Sequence, residues 1–96
     1  MTIRQLLSEK RTKIQQIAAK HSAFNVRLFG SVARGEDRED SDIDLLVSTR
    51  EDSTPWFPAG LILDLEAILG RRVQIITDKG LNGFIRDTVL REAAPL

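Results

Sequence analysis

The residues able to do chemistry gather in residues 28–47, LFGSVARGEDREDSDIDLLV. Asp42 and Asp44 stand two apart at the head of an apolar run, Leu45-Leu46-Val47. Side chains on a strand alternate between faces with period two, so the two aspartates share one face while Ile43, Leu45 and Val47 take the other. Two carboxylates side by side at the mouth of a buried strand repel each other and lose hydration. A divalent cation relieves both costs, and hard oxygen ligands of this kind suit Mg²⁺ or Mn²⁺. Upstream, Gly30-Ser31 closes a second apolar run, Val26-Arg27-Leu28-Phe29, with ten residues between Ser31 and Asp42. Glycine lets backbone approach a ligand closely. The N–H groups opening the next helical turn, with the Ser31 hydroxyl, can then hold phosphate oxygens. Phosphate on one side and carboxylate-bound metal on the other is the equipment of phosphoryl or nucleotidyl transfer.

These residues need strands to hold them, and the flanking sequence supplies the pattern. Residues 23–29 read as a first strand and residues 31–35 as a short helical turn. Residues 36–40, Glu-Asp-Arg-Glu-Asp, are five consecutive charges with no apolar neighbours, the composition of a solvated loop. Before them, residues 3–20 form an amphipathic helix, with Ile3, Leu6, Leu7, Ile14, Ile17 and Ala18 on one stripe and Thr2 as its N-cap. His21, the single histidine, follows that helix. It could act as a base or a metal ligand, but without a second histidine it reads as a surface residue whose cationic form suits the helix C-terminus.

Downstream, residues 48–58 are the least regular, with two prolines around Trp56-Phe57. The aromatic pair reads first as a lid over the core leading into the next helix, and second as an anchor for a partner protein or a nucleotide base. Residues 61–69 form that helix, which ends at Gly70. Asp64 and Glu66 lie two apart on it, face different ways, and make no carboxylate pair. Residues 73–77 form a third strand, and a strand–helix–strand order predicts that strands two and three run parallel. Residues 84–93 close the chain as a last helix before Pro95.

Taken together, Gly30-Ser31, ten intervening residues and Asp42-Ile43-Asp44 resemble the signature of the DNA polymerase beta nucleotidyltransferase superfamily. The flanking Ala33-Arg34-Gly35 and Ser41 resemble its minimal nucleotidyltransferase (MNT) branch, best known as the antitoxin half of HEPN–MNT toxin–antitoxin pairs. The resemblance covers nearly the whole chain. It implies an α/β (α+β) fold, a small mixed sheet of three to four strands flanked by helices, like a polymerase beta palm. It implies that Asp42 and Asp44 are catalytic and bind Mg²⁺ or Mn²⁺, and that Gly30 and Ser31 bind the phosphates of ATP. Arg34, within a turn of that pair, either contacts the triphosphate or forms a salt bridge to the acidic loop. The implied partner is a HEPN-type toxin, held in a hetero-oligomer, with a tyrosine hydroxyl as the acceptor of AMP.

One position departs from the family pattern. Strands two and three start at the same sheet edge, so Gln74, second in the third strand, belongs beside Asp42 and Asp44. In the family this place usually holds a third carboxylate, which grips the catalytic metal and takes the proton of the attacking hydroxyl. Glutamine adds no charge there and is no useful base. Asp78, four residues on, would lie ~13 Å from Gln74 at ~3.3 Å rise per residue, too far to replace it. Two functions therefore stand side by side: an active adenylyltransferase, and a catalytically impaired antitoxin that binds nucleotide and neutralises its partner by contact alone. An unrelated α/β domain whose aspartates merely cap a turn is the third reading.

Composition bounds the rest. The chain of 96 residues is sized for a single domain, 1–96. Its 14 basic and 14 acidic residues balance, so no global field favours long nucleic acid or an anionic membrane. It has no cysteine for disulfides or thiolate metal sites, and no apolar run near the ~20 residues that span a bilayer. A soluble cytoplasmic protein is the expectation.

Overall fold

A computed structural model describes residues 2–38, 40–50, 56–81 and 83–96. The chain runs α1 (Ile3–Lys20), β1 (Ala23–Phe29), α2 (Gly30–Arg34), β2 (Ile43–Thr49), α3 (Ala59–Leu69), β3 (Val73–Thr77), a 3₁₀ turn (Asp78–Gly80), α4 (Gly83–Glu92) and β4 (Ala94–Pro95). The four strands form one mixed sheet in the order β3-β2-β1-β4. β1 pairs antiparallel with β2 and β4, and β2 pairs parallel with β3, as the α3 crossover requires.

α1 starts where the sequence places it. The Thr2 hydroxyl accepts from the Gln5 N–H at 3.0 Å, and Gln5 Oε1 accepts from the Thr2 N–H at 2.7 Å, a reciprocal capping box. Its apolar stripe buries Ile3, Leu7, Ile14 and Ala18, with Leu6 and Ile17 partly covered. Against these pack Leu61, Leu65 and Leu69 of α3 and one face of the sheet: Val26 and Leu28, Ile43, Leu45 and Val47, and Val73. Alternation along β2 then leaves Asp44 on the opposite face. Leu46 shares that face with Asp44 and is nonetheless fully buried, so the aspartate sits at the mouth of a strand apolar on both sides. Among the described residues, no helix is long and apolar enough to cross a membrane.

Several features were not visible locally. β2 runs on to Thr49, where the sequence reading ended it at Val47, because β1 is seven residues long and offers partners that far: Phe24 faces Ser48 and Ala23 faces Thr49. A bulge shifts the register between Phe24 and Arg27, and Asn25 within it has φ +53°, a left-handed conformation that asparagine tolerates. β4 adds a short edge strand, where a proline does not interrupt a ladder. His21 has a partner after all. Its Nε2 lies 2.7 Å from Asp64 Oδ2, tying the end of α1 to α3. Helix geometry keeps Asp64 apart from Glu66, whose Oε2 accepts from the Val73 N–H at 3.0 Å.

The aromatic pair divides. Phe57 is half-buried and packs on the core, as a lid would, whereas Trp56 is 68% exposed. Residues 51–55 of the irregular stretch lie outside the described residues. Phe57→Ala is therefore expected to cost about 1–3 kcal/mol of stability, and Trp56→Ala to stay within ~0.5 kcal/mol. Urea unfolding of the two single variants measures the split.

Candidate active site

The site is assembled by strand register. Phe29, last in β1, lies directly opposite Asp44 on β2, so the turn that follows Phe29 is delivered to the Asp44 carboxylate. Gly30 occupies that turn for two reasons. Its φ is +76°, a region L side chains avoid, and a Cβ there would collide with Asp44 Oδ2. From Gly30 the chain turns into α2, whose N-cap Phe29 offers no side-chain acceptor to the first-turn N–H groups. Ser31 stands half-buried in that first turn. α2 ends at Gly35, also left-handed at φ +73°. Its flank is fixed by Arg4, whose Nη2 donates to the Ala33 carbonyl at 2.9 Å.

On the other side, β3 brings Gln74 into register with Asp44, as the parallel pairing predicts. The Gln74 Nε2 donates to Asp42 Oδ2 at 3.2 Å. Gly30, Asp42, Asp44 and Gln74 thus meet at one end of the sheet. Asp78 does not join them. It accepts from the Ser48 hydroxyl at 2.6 Å and has Arg27 Nη2 at 3.9 Å, at the other end of β2. His21 is excluded by the same logic, since it precedes Ala23, which pairs with Thr49 at that far end. Among the described residues no three acidic, histidine or cysteine side chains cluster as a metal cage would require.

Arg34 forms the salt bridge to the acidic loop, the second of the two roles the sequence allows it. Its Nε lies 3.0 Å from Glu36 Oε2 in the acidic loop, and its Nη1 lies 3.4 Å from Glu92 Oε2 on α4. The Glu92 contact was not foreseen. Arg34 is also close enough for its charge to act on Asp44. Of the loop itself, Glu36, Arg38 and Asp40 are exposed or nearly so and Asp37 is half-buried, while Glu39 lies outside the described residues.

Charge is out of balance at Asp44. Partial burial, then the neighbouring Asp42 carboxylate, push its pKa above the ordinary aspartate range, and Arg34 offsets only part of this. A group whose folded pKa is raised binds its proton more tightly in the fold. Its stabilising contribution is complete below the ordinary aspartate pKa and is lost as pH rises through the raised value. In chelator at neutral pH, Asp44→Asn is therefore expected to raise the unfolding midpoint, and the gain should vanish in acid, where Asp44 is protonated in both states. Thermal unfolding across that range tests it. Saturating divalent cation should reverse the order, because only the wild-type pair gains a ligand charge.

A cleft of about 550 Å³ opens beside Asp42, lined by Asp40, Ser41, Leu69, Gly70, Arg71 and Arg72. The Ser41 hydroxyl accepts from the Arg38 N–H at 2.7 Å and shapes one wall. The Arg72 carbonyl accepts from the Ile43 N–H at 2.9 Å, which seats the arginine pair next to the aspartates. Sequence reasoning left Arg71 and Arg72 out of the site. Their position just before β3, in parallel register with β2, was the available signal.

Known proteins share this architecture. The family model for the nucleotidyltransferase domain matches residues 7–95. The chain is 34% identical over 92 residues to the protein adenylyltransferase MntA of Thermococcus cleftensis, covering 96% of this chain and 93% of that protein. It is 36% identical over 87 residues to a Methanocaldococcus jannaschii protein named as a candidate protein adenylyltransferase, covering 91% and 94% of the two. A solved structure of a candidate minimal nucleotidyltransferase superposes with TM-score 0.87 at 49% identity, over 100% of this chain and 97% of that one. A crystal structure of a toxin–antitoxin with AMP-PNP superposes with TM-score 0.74 at 20% identity, over 88% of this chain and 69% of that one, a likeness of fold.

Proposed function

The chain belongs to the nucleotidyltransferase domain family, and from that membership we propose that it is an antitoxin adenylyltransferase, moving AMP from ATP to a tyrosine hydroxyl of a HEPN-type toxin. The observation that carries the reading is the Phe29–Asp44 rung, which sets the Gly30 turn against a carboxylate pair. The adenylyltransferase relative supports the reaction class, and the toxin–antitoxin neighbour supports a protein partner.

The residues fit a hard divalent cation, Mg²⁺ or Mn²⁺. Asp42 and Asp44 offer only oxygen donors, and Asp44 carries a charge the fold leaves partly uncompensated. Both aspartates would hold the ion. A cation in such a site neutralises charge on the triphosphate as pyrophosphate departs. Gly30 and Ser31 cradle phosphate oxygens through backbone N–H and hydroxyl groups. Arg34, which meets each of its two glutamate partners through a single oxygen, can exchange one of them for a phosphate. In the transfer, the tyrosine oxygen forms a bond to the α-phosphorus. The bond from that phosphorus to the α,β-bridging oxygen breaks, pyrophosphate leaves with its electron pair, and the tyrosine proton passes to solvent. Gln74 cannot receive it.

The Gln74–Asp42 hydrogen bond favours a second reading, a nucleotide-binding antitoxin that neutralises the toxin by contact alone. Incubation of the protein with labelled ATP, Mg²⁺ and a HEPN-type toxin separates the two. Label on a toxin tyrosine is the expected result. Neutralisation of the toxin without any label, in Mg²⁺ and in Mn²⁺, would replace the enzyme with the contact antitoxin.

A further inference from the structure

We propose that this chain, when it carries its nucleotide, holds one divalent cation and not two, and that Gln74 sets the count. The inference rests on the nucleotide-site reading above and concerns its stoichiometry. Sites that hold two cations ~3.5–4 Å apart concentrate four positive charges, and they need matching anionic oxygens. The triphosphate can supply oxygens for the cation on its own side. Any cation on the acceptor side depends on protein carboxylates.

Here that supply is short by one. The sheet register places Gln74 beside Asp44, at the point where a third side chain would reach the pair. An ionised carboxylate only accepts hydrogen bonds, so the group Gln74 turns toward Asp42 Oδ2 at 3.2 Å is its NH₂. The amide donor already occupies an oxygen that a second cation would need, and its own oxygen is neutral. To ligate, the amide would have to flip, give up the Asp42 bond and bring no charge. Asp78 cannot compensate, since Ser48 and Arg27 hold it at the other end of β2. With one Asp42 oxygen bonded to the amide and no acid at position 74, the acceptor side has too few anionic ligands to hold a second divalent cation.

The consequence is a division within the site. Asp42 and Asp44 suffice to retain the nucleotide, while the acceptor side lacks the charge that would help the incoming hydroxyl lose its proton. An acidic side chain at position 74 restores that charge and removes the amide donor together.

Equilibrium dialysis of the full chain against Mn²⁺ and AMP-PNP tests this, counting the excess of each in the protein compartment. The expected wild-type result is one nucleotide and one Mn²⁺ per chain. Gln74→Asp and the longer Gln74→Glu should each hold one nucleotide and two Mn²⁺, with circular dichroism confirming their fold. Two Mn²⁺ in the wild type would overturn the inference and leave the nucleotide site standing. A count of one in the wild type and in both folded acidic variants would also overturn it, by removing Gln74 from the cause. No retained nucleotide in the wild type would overturn the nucleotide-site reading, and the inference with it.

Discussion

Gln74→Asp is expected to raise AMP transfer to the proposed acceptor tyrosine by ~10²- to 10⁴-fold, the usual worth of a positioned general base. Nucleotide affinity should change far less. The separation follows from the strand layout. Asp42 and Asp44 sit at the head of β2 with the Gly30 turn on their β1 side, so the proposed triphosphate contacts lie on the side away from position 74. Gln74 stands on the β3 side, in line with Asp44 and bonded to Asp42. A carboxylate there would act on the attacking hydroxyl in the transition state. Because aspartate is one methylene shorter than glutamine, Gln74→Glu belongs in the same experiment. Single-turnover transfer from labelled ATP is the measurement. Robust wild-type transfer destroyed by either acidic substitution would show that Gln74 itself contributes to the reaction.

The second large effect is a loss. Asp42→Asn with Asp44→Asn should lower transfer by at least ~10²-fold, the scale on which removal of a group that stabilises transition-state charge is felt. The fold should survive. Both side chains are half-exposed, and the core beneath β2 is built from Ile43, Leu45 and Val47. Neutral amides at both positions also remove the repulsion between the ionised carboxylates. Circular dichroism and transfer kinetics on the double variant measure the two halves together. A variant that unfolds would show that the aspartates serve the sheet, and one that transfers at the wild-type rate would remove them from the chemistry.

What could be read in the sequence was what neighbouring residues decide. The 3.6-residue stripe of α1 and its Thr2 cap lie within 18 consecutive helical residues and the residue before them. The alternation through Asp42, Ile43 and Asp44 places the carboxylates on one face with no reference to the rest of the chain. A single topological rule, the right-handed crossover, was then enough to put Gln74 beside them. Contacts between distant residues left no such trace. His21 meets Asp64 across 43 residues, and Arg34 meets Glu92 across 58. Neither pair has a periodicity or a spacing to announce it. Trp56 and Phe57 show the same limit over one bond: adjacent and alike in composition, they differ in burial because the backbone points one toward the core and the other away. The bulge at Asn25 is intermediate, since asparagine permits its left-handed backbone without requiring it.

Calorimetry of ATP binding tests most directly whether the Gly30 turn and the aspartate pair form one metal-dependent nucleotide site. ATP is titrated into the wild type in Mg²⁺ and in chelator, and into the Asp42→Asn, Asp44→Asn variant under both conditions. Tight binding is expected in one of the four titrations only, wild type with Mg²⁺. Equal affinity in all four would contradict the account, because the carboxylates would then hold nothing that the nucleotide needs.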